Sequence, residues 1–197
     1  MDDRKKLHDY WRRPSRENSY RKYMSGKDKK ERSEYLVSVV KKYIPVTEFS
    51  SILELGCNVG RNLKFLWKAG YRNLTGVDIN RSAISMARRF VPRATLVHGT
   101  IEDFIKTKER YSLVFTMAVL MHVKNGDINL FEKIATMAED YIITIESEIQ
   151  KDGKRRIVGR DYREIFEDLG FYQVAEIPKI PGMIAAYKGR VLARRTV

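Results

Sequence analysis

Short apolar runs bounded by glycine, proline and charged residues alternate along the chain with segments whose apolar side chains recur every three or four positions. The runs predict strands near residues 51–55, 73–78, 94–98, 112–116, 141–146, 171–176 and 183–188. The helical spacing predicts helices near 29–44, 60–69, 81–90, 127–138 and 159–169. In the first helix Tyr35, Leu36, Val39, Val40 and Tyr43 form one stripe to lay on a sheet, and Pro45 ends it. This alternation implies an α/β fold, a doubly wound, mainly parallel seven-stranded sheet with helices on both faces. The last two strands are joined through Pro178 and Pro181-Gly182 without a helix, so they are expected to pair as an antiparallel edge hairpin. Internal repeats and low-complexity tracts are absent from the sequence.

The segment Ile52-Leu-Glu-Leu-Gly-Cys-Asn-Val-Gly-Arg-Asn-Leu63, followed by Val77-Asp78-Ile79, reads as strand, glycine loop, helix and a second strand ending in an acid. A backbone that turns sharply and lies against a ligand favours Gly56 and Gly60, which carry no Cβ. The helix starting near Gly60 points unpaired N–H groups and its positive dipole end at the same place. Asp78 lies eighteen positions beyond Gly60, near the spacing at which an acid on the second strand accepts hydrogen bonds from a ribose. An adenosine-containing cofactor is therefore expected. A dinucleotide fingerprint needs a further glycine where this chain has Asn58, so close approach of a pyrophosphate is disfavoured. Asn tolerates left-handed backbone angles, and the turn itself can survive.

Leu53-Glu-Leu-Gly-Cys-Asn-Val-Gly60 resembles the first motif of class I S-adenosylmethionine-dependent methyltransferases. In that Rossmann-like family an acid before the loop meets the ammonium group of the ligand, and Glu54 matches it. Three further stretches follow in order. Gly76-Val-Asp-Ile79 is similar to the second motif, which implies Asp78 on the ribose and Ile79 against the adenine. Val97-His-Gly-Thr-Ile-Glu-Asp-Phe104 is similar to the third, which implies Thr100, Ile101 and Glu102 or Asp103 at the adenine edge. Leu113-Val-Phe-Thr-Met-Ala-Val-Leu-Met-His-Val123 resembles the fourth strand and its loop, which implies Met117 beside the transferable methyl group. Cys57, Asn58 and Asn62 complete the implied cofactor set. The resemblance spans roughly residues 33 to 188, and implies S-adenosylmethionine as cofactor with S-adenosylhomocysteine as product. Gly-Cys-Asn-Val-Gly-Arg-Asn-Leu and Leu120-Met-His122 also resemble methylases associated with sugar biosynthesis, pseudaminic acid in particular.

Bland readings stand beside these. Asp78 could cap the helix that starts near Asn80, although Asn80 and Ser82 could serve equally well. Glu54 could pair with Arg61 alone. His122 follows the fourth strand, where an acceptor should lie, and imidazole takes a proton near neutral pH; it is a candidate base or a structural hydrogen-bond partner. Glu146 at the end of the fifth strand, and Tyr10, Trp11, Tyr20 and Tyr23 near the N-terminus, are candidate acceptor contacts or a lid; the aromatics could equally form a small core of their own. His8 and His98 show no metal-ligand spacing, and no metal is expected.

Composition adds bounds. At 197 residues and 43% hydrophobic content the chain can bury a full core. Residues 1–44 read as a basic, aromatic-rich helical cap and 45–197 as the cofactor-binding domain. Cys57 is the single cysteine, so there is no internal disulfide framework. No apolar run approaches the roughly 18 residues of a membrane span, no signal-peptide core is visible, and a cytoplasmic location is expected. The formal charge of +13 sits at the ends: residues 1–44 hold 14 Lys/Arg against 7 Asp/Glu, and residues 151–197 hold 11 against 6. Such a rim attracts anions, whether phosphorylated metabolites, sugar nucleotides or RNA. The Asn/Asp-Pro-Pro-aromatic loop of base amine methylases is missing after the fourth strand, and so is a catalytic cysteine loop. A small polar or anionic acceptor of the sugar or sugar-nucleotide class is favoured, methylated on oxygen or nitrogen. Ribose or terminal-phosphate methylation of RNA, through Arg12, Arg13, Arg155 and Arg156, is an alternative. So is a binding module with a degenerate site, for which Asn58 is the only support. The oligomeric state is open.

Overall fold

The structure, a computed structural model, describes residues 3–13, 21–24, 26–124, 128–149 and 157–196. Tyr20, Arg155 and Arg156 lie outside the described residues. Three helices, α1 (Asp3–Arg12), α2 (Arg21–Met24) and α3 (Lys27–Tyr43), precede β1 (Ile52–Leu55). There follow α4 (Arg61–Lys68), β2 (Leu74–Asp78), α5 (Arg81–Phe90), β3 (Thr95–His98), α6 (Ile101–Phe104) and β4 (Tyr111–Met117). After a 3-10 turn at Leu120–His122 come α7 (Ile128–Met137), β5 (Ala138–Ser147), α8 (Tyr162–Asp168), β6 (Phe171–Ile177) and β7 (Tyr187–Arg194).

The strands form one seven-stranded sheet in the order β3-β2-β1-β4-β5-β7-β6. The first five are parallel, and β7 runs antiparallel between β5 and β6. The order reverses between β1 and β4, and at such a switch point the loops leaving the carboxyl ends diverge and open a crevice.

The apolar alternation decides which face each side chain meets. Ile52, Leu113, Phe115, Ile143, Ile145 and Val191 face a core completed by Leu36, Val39 and Val40 of α3 and by Leu63 and Leu66 of α4. Leu53, Leu55, Val77, Val114, Ile142 and Leu192 face the other core, with Phe131 and Ile134 of α7 and Phe166 of α8. Every residue of β1 is buried, as expected of a central parallel strand covered on both sides. Glu54 is therefore a carboxylate inside the molecule, on the face of Ile52.

Two expectations need correction. The last strand runs from Tyr187 to Arg194 rather than over 183–188, and Pro181 to Ile184 form a turn before it. β5 begins at Ala138, directly after α7. The displacement of β7 has a physical cause in Arg190, a charge in a central strand that is only 4% exposed. Its guanidinium donates to Glu148 at 2.9 and 2.6 Å, to Glu176 at 2.6 Å and to Gln173 at 2.9 Å. Those acceptors satisfy it and let the sheet bury it.

Candidate functional site

Beyond β1 the chain turns at Gly56 with φ 76°, and a Cβ there would stand 2.4 Å from Cγ2 of Val119. Left-handed backbone and absent space together restrict that position to glycine. The N–H groups of Gly56 and Cys57 both donate to the Val77 carbonyl at 2.9 Å, which ties the loop to β2. Asn58 takes the left-handed conformation at φ 49°. Its Oδ1 accepts from the Val59 N–H at 2.9 Å, and its own N–H donates to Asp78 Oδ2 at 2.8 Å. The residue that departs from the dinucleotide pattern thus preserves the turn and links it to the acid. Cys57 is buried, its sulfur packs over Gly76, and burial pushes the thiol well above its usual range. It is a packing residue here, not a nucleophile.

At the tip of β2, Asp78 accepts from Asn58 through Oδ2 and from the Asn80 N–H through Oδ1 at 2.8 Å. Asn80, not Asp78, caps α5, its side chain accepting from the Ala83 N–H at 3.0 Å. Burial raises the Asp78 carboxyl above its ordinary value, opposed by those two backbone donors.

A relay of polar side chains leads to Glu54. Arg61 Nε donates to Ser33 Oγ at 2.9 Å, Ser33 Oγ donates to Asn62 Oδ1 at 2.7 Å, and Asn62 Nδ2 donates to Glu54 Oε1 at 2.7 Å. The other oxygen, Glu54 Oε2, is buried with no hydrogen-bond partner among the described residues. Burial pushes the Glu54 carboxyl up to about 8, against the Asn62 hydrogen bond and the positive charge of Arg61. A buried carboxylate with an unmatched oxygen is expensive unless a cationic donor meets it. No ion pair joins Glu54 to Arg61.

A cavity of about 570 Å³ opens over these groups. Glu54, Gly56, Cys57, Asn58, Asn62, Asp78, Ile79, Thr100, Ile101, Glu102 and Met117 all border it, and His122, Trp11 and Tyr23 close its outer side. Gly60 stands one residue away, as the left-handed N-cap of α4 at φ 69°. Asp103 faces outward: it accepts from Thr100 Oγ1 at 2.7 Å at the α6 cap and from Lys106 at 2.7 Å, and it borders a separate, smaller groove. Tyr10 packs edge-on against Trp11 at 5.0 Å and does not border the cavity.

Glu146 also lies outside the lining, beneath the loop that follows β4. It accepts from Thr116 Oγ1 at 2.8 Å, from the Val119 N–H at 2.9 and 3.0 Å and from the Met121 N–H at 3.1 Å. Burial raises its carboxyl to about 7 against those donors. They hold a loop in which Ala118 takes the left-handed φ of 59°, a conformation unfavourable for any residue with a Cβ. The loop delivers His122 to the cavity, with its ring 5.0 Å from that of Trp11.

Several lining residues were not among the candidates. Arg4, Leu7 and His8 of α1 border the cavity together with Trp11. Their spacing of three and four is that of one helix face, so the signal was present in the sequence. His8 Nε2 lies 3.1 Å from Glu102 Oε1, and Asn80 Nδ2 donates to the Trp11 carbonyl at 3.3 Å. Arg32, Arg61 and Met183 had no local signal, because only the packing of α3 and the β6–β7 connection brings them in.

A family model described as a methyltransferase domain matches residues 52–140. The chain carries a methyltransferase domain. That match runs from the first residue of β1 into β5, and so includes the glycine turn, Asp78, α6 and the loop held by Glu146. Magnesium protoporphyrin IX methyltransferase from Synechocystis PCC 6803, solved with SAH bound, superimposes with a TM-score of 0.78 at 17% identity, over 98% of this chain and 100% of that one. The same protein with SAM bound gives 0.75 at 18% identity, over 99% and 98%. Likeness at that identity speaks for the fold of the methyltransferase domain. In sequence, the dTDP-3-amino-3,6-dideoxy-alpha-D-glucopyranose N,N-dimethyltransferase of Streptomyces fradiae is 29% identical over 92 residues, 47% of this chain. The match spans about a third of that relative's length, 34%. No helix among the described residues is long and apolar enough to cross a membrane.

Proposed function

We propose that the protein is an S-adenosylmethionine-dependent methyltransferase acting on an oxygen or nitrogen of a small polar or anionic acceptor, of the sugar or sugar-nucleotide class. The observation that carries this reading is the buried, unmatched Oε2 of Glu54, beside a glycine turn and across from Asp78. A group with an ammonium at one end and a ribose at the other suits that arrangement; a dinucleotide, with phosphates against Asn58, does not. Glu54 takes the ammonium. Asp78 keeps lone pairs beyond its two backbone donors for the ribose hydroxyls. Ile79 and Ile101 offer apolar faces to the adenine, and Thr100 and Glu102 stand at its edge. The bound cofactor supplies a methyl group on a positively charged sulfur.

The remaining work belongs to the chain. The turn at Gly56 to Asn58 fixes the position of the methyl donor, and Met117 at the tip of β4 stands where the acceptor must arrive. Trp11 and α1 cover the crevice and exclude water, which favours transfer over hydrolysis. For an acceptor that carries a proton, His122 is placed to receive it on an imidazole nitrogen. The sugar-nucleotide class is supported by the Streptomyces fradiae relative, named as a methylase of such a compound. An Asp78→Ala variant should bind S-adenosylhomocysteine at least about tenfold more weakly while keeping its circular dichroism spectrum; unchanged affinity would remove Asp78 from the ribose. Transfer of labelled methyl groups to a panel of sugar nucleotides tests the acceptor class, and transfer only to RNA would redirect it.

A further inference from the structure

The charges bordering the cavity are segregated. Its three carboxylates, Glu54, Asp78 and Glu102, belong to the ends of β1 and β2 and to α6 after β3, the half assigned above to the cofactor. On the other side of Met117 no described lining residue is acidic, whereas Arg32, Arg61 and Lys124 all border it. Glu146, the nearest buried acid, is turned away and spends its oxygens on Thr116, Val119 and Met121.

Arg61 is a half-buried guanidinium with no carboxylate in hydrogen-bond reach. Its acceptors are Ser33 Oγ at 2.9 Å, the Tyr23 carbonyl at 3.5 Å and Met117 Sδ at 3.9 Å. Burial lowers its pKa, and the nearby charge of Arg32 lowers it further. Arg32 donates to the Gly182 carbonyl, and its Nε is buried with no partner among the described residues. Lys124 makes no ion pair with another described residue. Two adjacent guanidinium groups in weak neutral contacts are the arrangement that an oxyanion would complete with charge-assisted, bidentate hydrogen bonds.

We infer, on the methyltransferase reading above, that the methylated atom is a carboxylate oxygen, held at the tip of β4 by Arg61, Arg32 and Lys124. The same field opposes an amine acceptor: an ammonium would enter among three like charges and lacks a carboxylate to receive it. In the step itself a lone pair of the carboxylate oxygen forms the new O–CH3 bond. The S–CH3 bond breaks with its electron pair left on sulfur, which becomes a neutral thioether. No proton moves, so a carboxylate acceptor needs no base. The His122 ring, packed on Trp11, then shapes the pocket without titrating.

The test uses three probes of one shape, benzoate, benzamide and benzylammonium, titrated into the full chain loaded with S-adenosylhomocysteine, whose own carboxylate is then already accommodated. Benzoate should bind at least about tenfold tighter than either of the others, and Lys124→Met and Arg61→Met should each loosen it by about tenfold or more. If Arg61→Met does not fold, Lys124→Met and Arg32→Met carry the same comparison. Absence of benzoate binding, equal binding of benzylammonium, or benzoate affinity indifferent to these variants would each overturn the inference. Failure to load S-adenosylhomocysteine would appear earlier, as a separate result, and would remove the methyltransferase reading together with the inference built on it.

Discussion

Glu54 sets the pH behaviour of the site. With its carboxyl raised to about 8, it is mostly protonated at neutral pH when nothing cationic faces it. An ammonium group placed on Oε2 favours the ionised form, so binding of S-adenosylmethionine at pH 7 should release a proton. Calorimetry in two buffers of different ionisation enthalpy reads that release directly. Binding heats that match in the two buffers would show that Glu54 does not meet the ammonium. Gly56 gives a second prediction at this scale. Gly56→Ala has to place a residue with a Cβ at φ 76°, for about 1–2 kcal/mol, and has also to displace Val119, whose methyl lies 2.4 Å away. Urea unfolding should show the loss, with cofactor affinity falling alongside. Glu54, Gly56 and Asp78 were legible from sequence because their chemistry is local: a turn, a spacing and a strand end. Arg32, Arg61 and Ser33 were not, because the relay to Glu54 exists only once α3 packs beside α4.

Two elements position the acceptor side. The loop after β4 hangs on Glu146, which was expected among the acceptor contacts or lid and lies instead behind the loop. A carboxylate at a strand end reads the same in sequence whether it faces a cavity or a backbone. Glu146→Ala would leave buried N–H groups of Val119 and Met121 without an acceptor, at about 1–3 kcal/mol for each unsatisfied group. A large drop in melting temperature is therefore expected, beyond any loss of turnover. The second element is α1, which lays Arg4, Leu7, His8 and Trp11 along the cavity. Its fastenings to the body include His8 to Glu102 and Asn80 to the Trp11 carbonyl. Deleting residues 1–13 should speed release of S-adenosylhomocysteine in stopped-flow measurements; an unaltered release rate would mean that α1 does not gate the site. The strand order followed from alternation of apolar runs and helices, because burial on both faces dictates it. The start of β7 did not, since a strand carrying Lys188, Arg190 and Arg194 reads as surface until Glu148 and Glu176 are seen around Arg190.

For the whole molecule, two buried carboxyls couple folding to pH. Glu54 at about 8 and Glu146 at about 7 both lie above the ordinary value of 4.5. Folding therefore favours their protonated forms. Their contribution is complete below pH 4.5 and is lost as pH rises through 7 and 8, each group tilting stability by on the order of 1 kcal/mol per pH unit there. Urea midpoints should fall between pH 6 and pH 9, and S-adenosylhomocysteine should flatten the Glu54 share of that fall. A midpoint rising with pH over this range would contradict both assignments. The central claim is that this cavity is built for a sulfonium-bearing adenosine cofactor, and calorimetric titration of the full chain with S-adenosylmethionine and, separately, with NAD tests it most directly. Micromolar binding of the first and none of the second is the predicted result, because Asn58 occupies the glycine position a pyrophosphate needs and Glu54 Oε2 awaits an ammonium. Binding of NAD, or of neither compound, would contradict it.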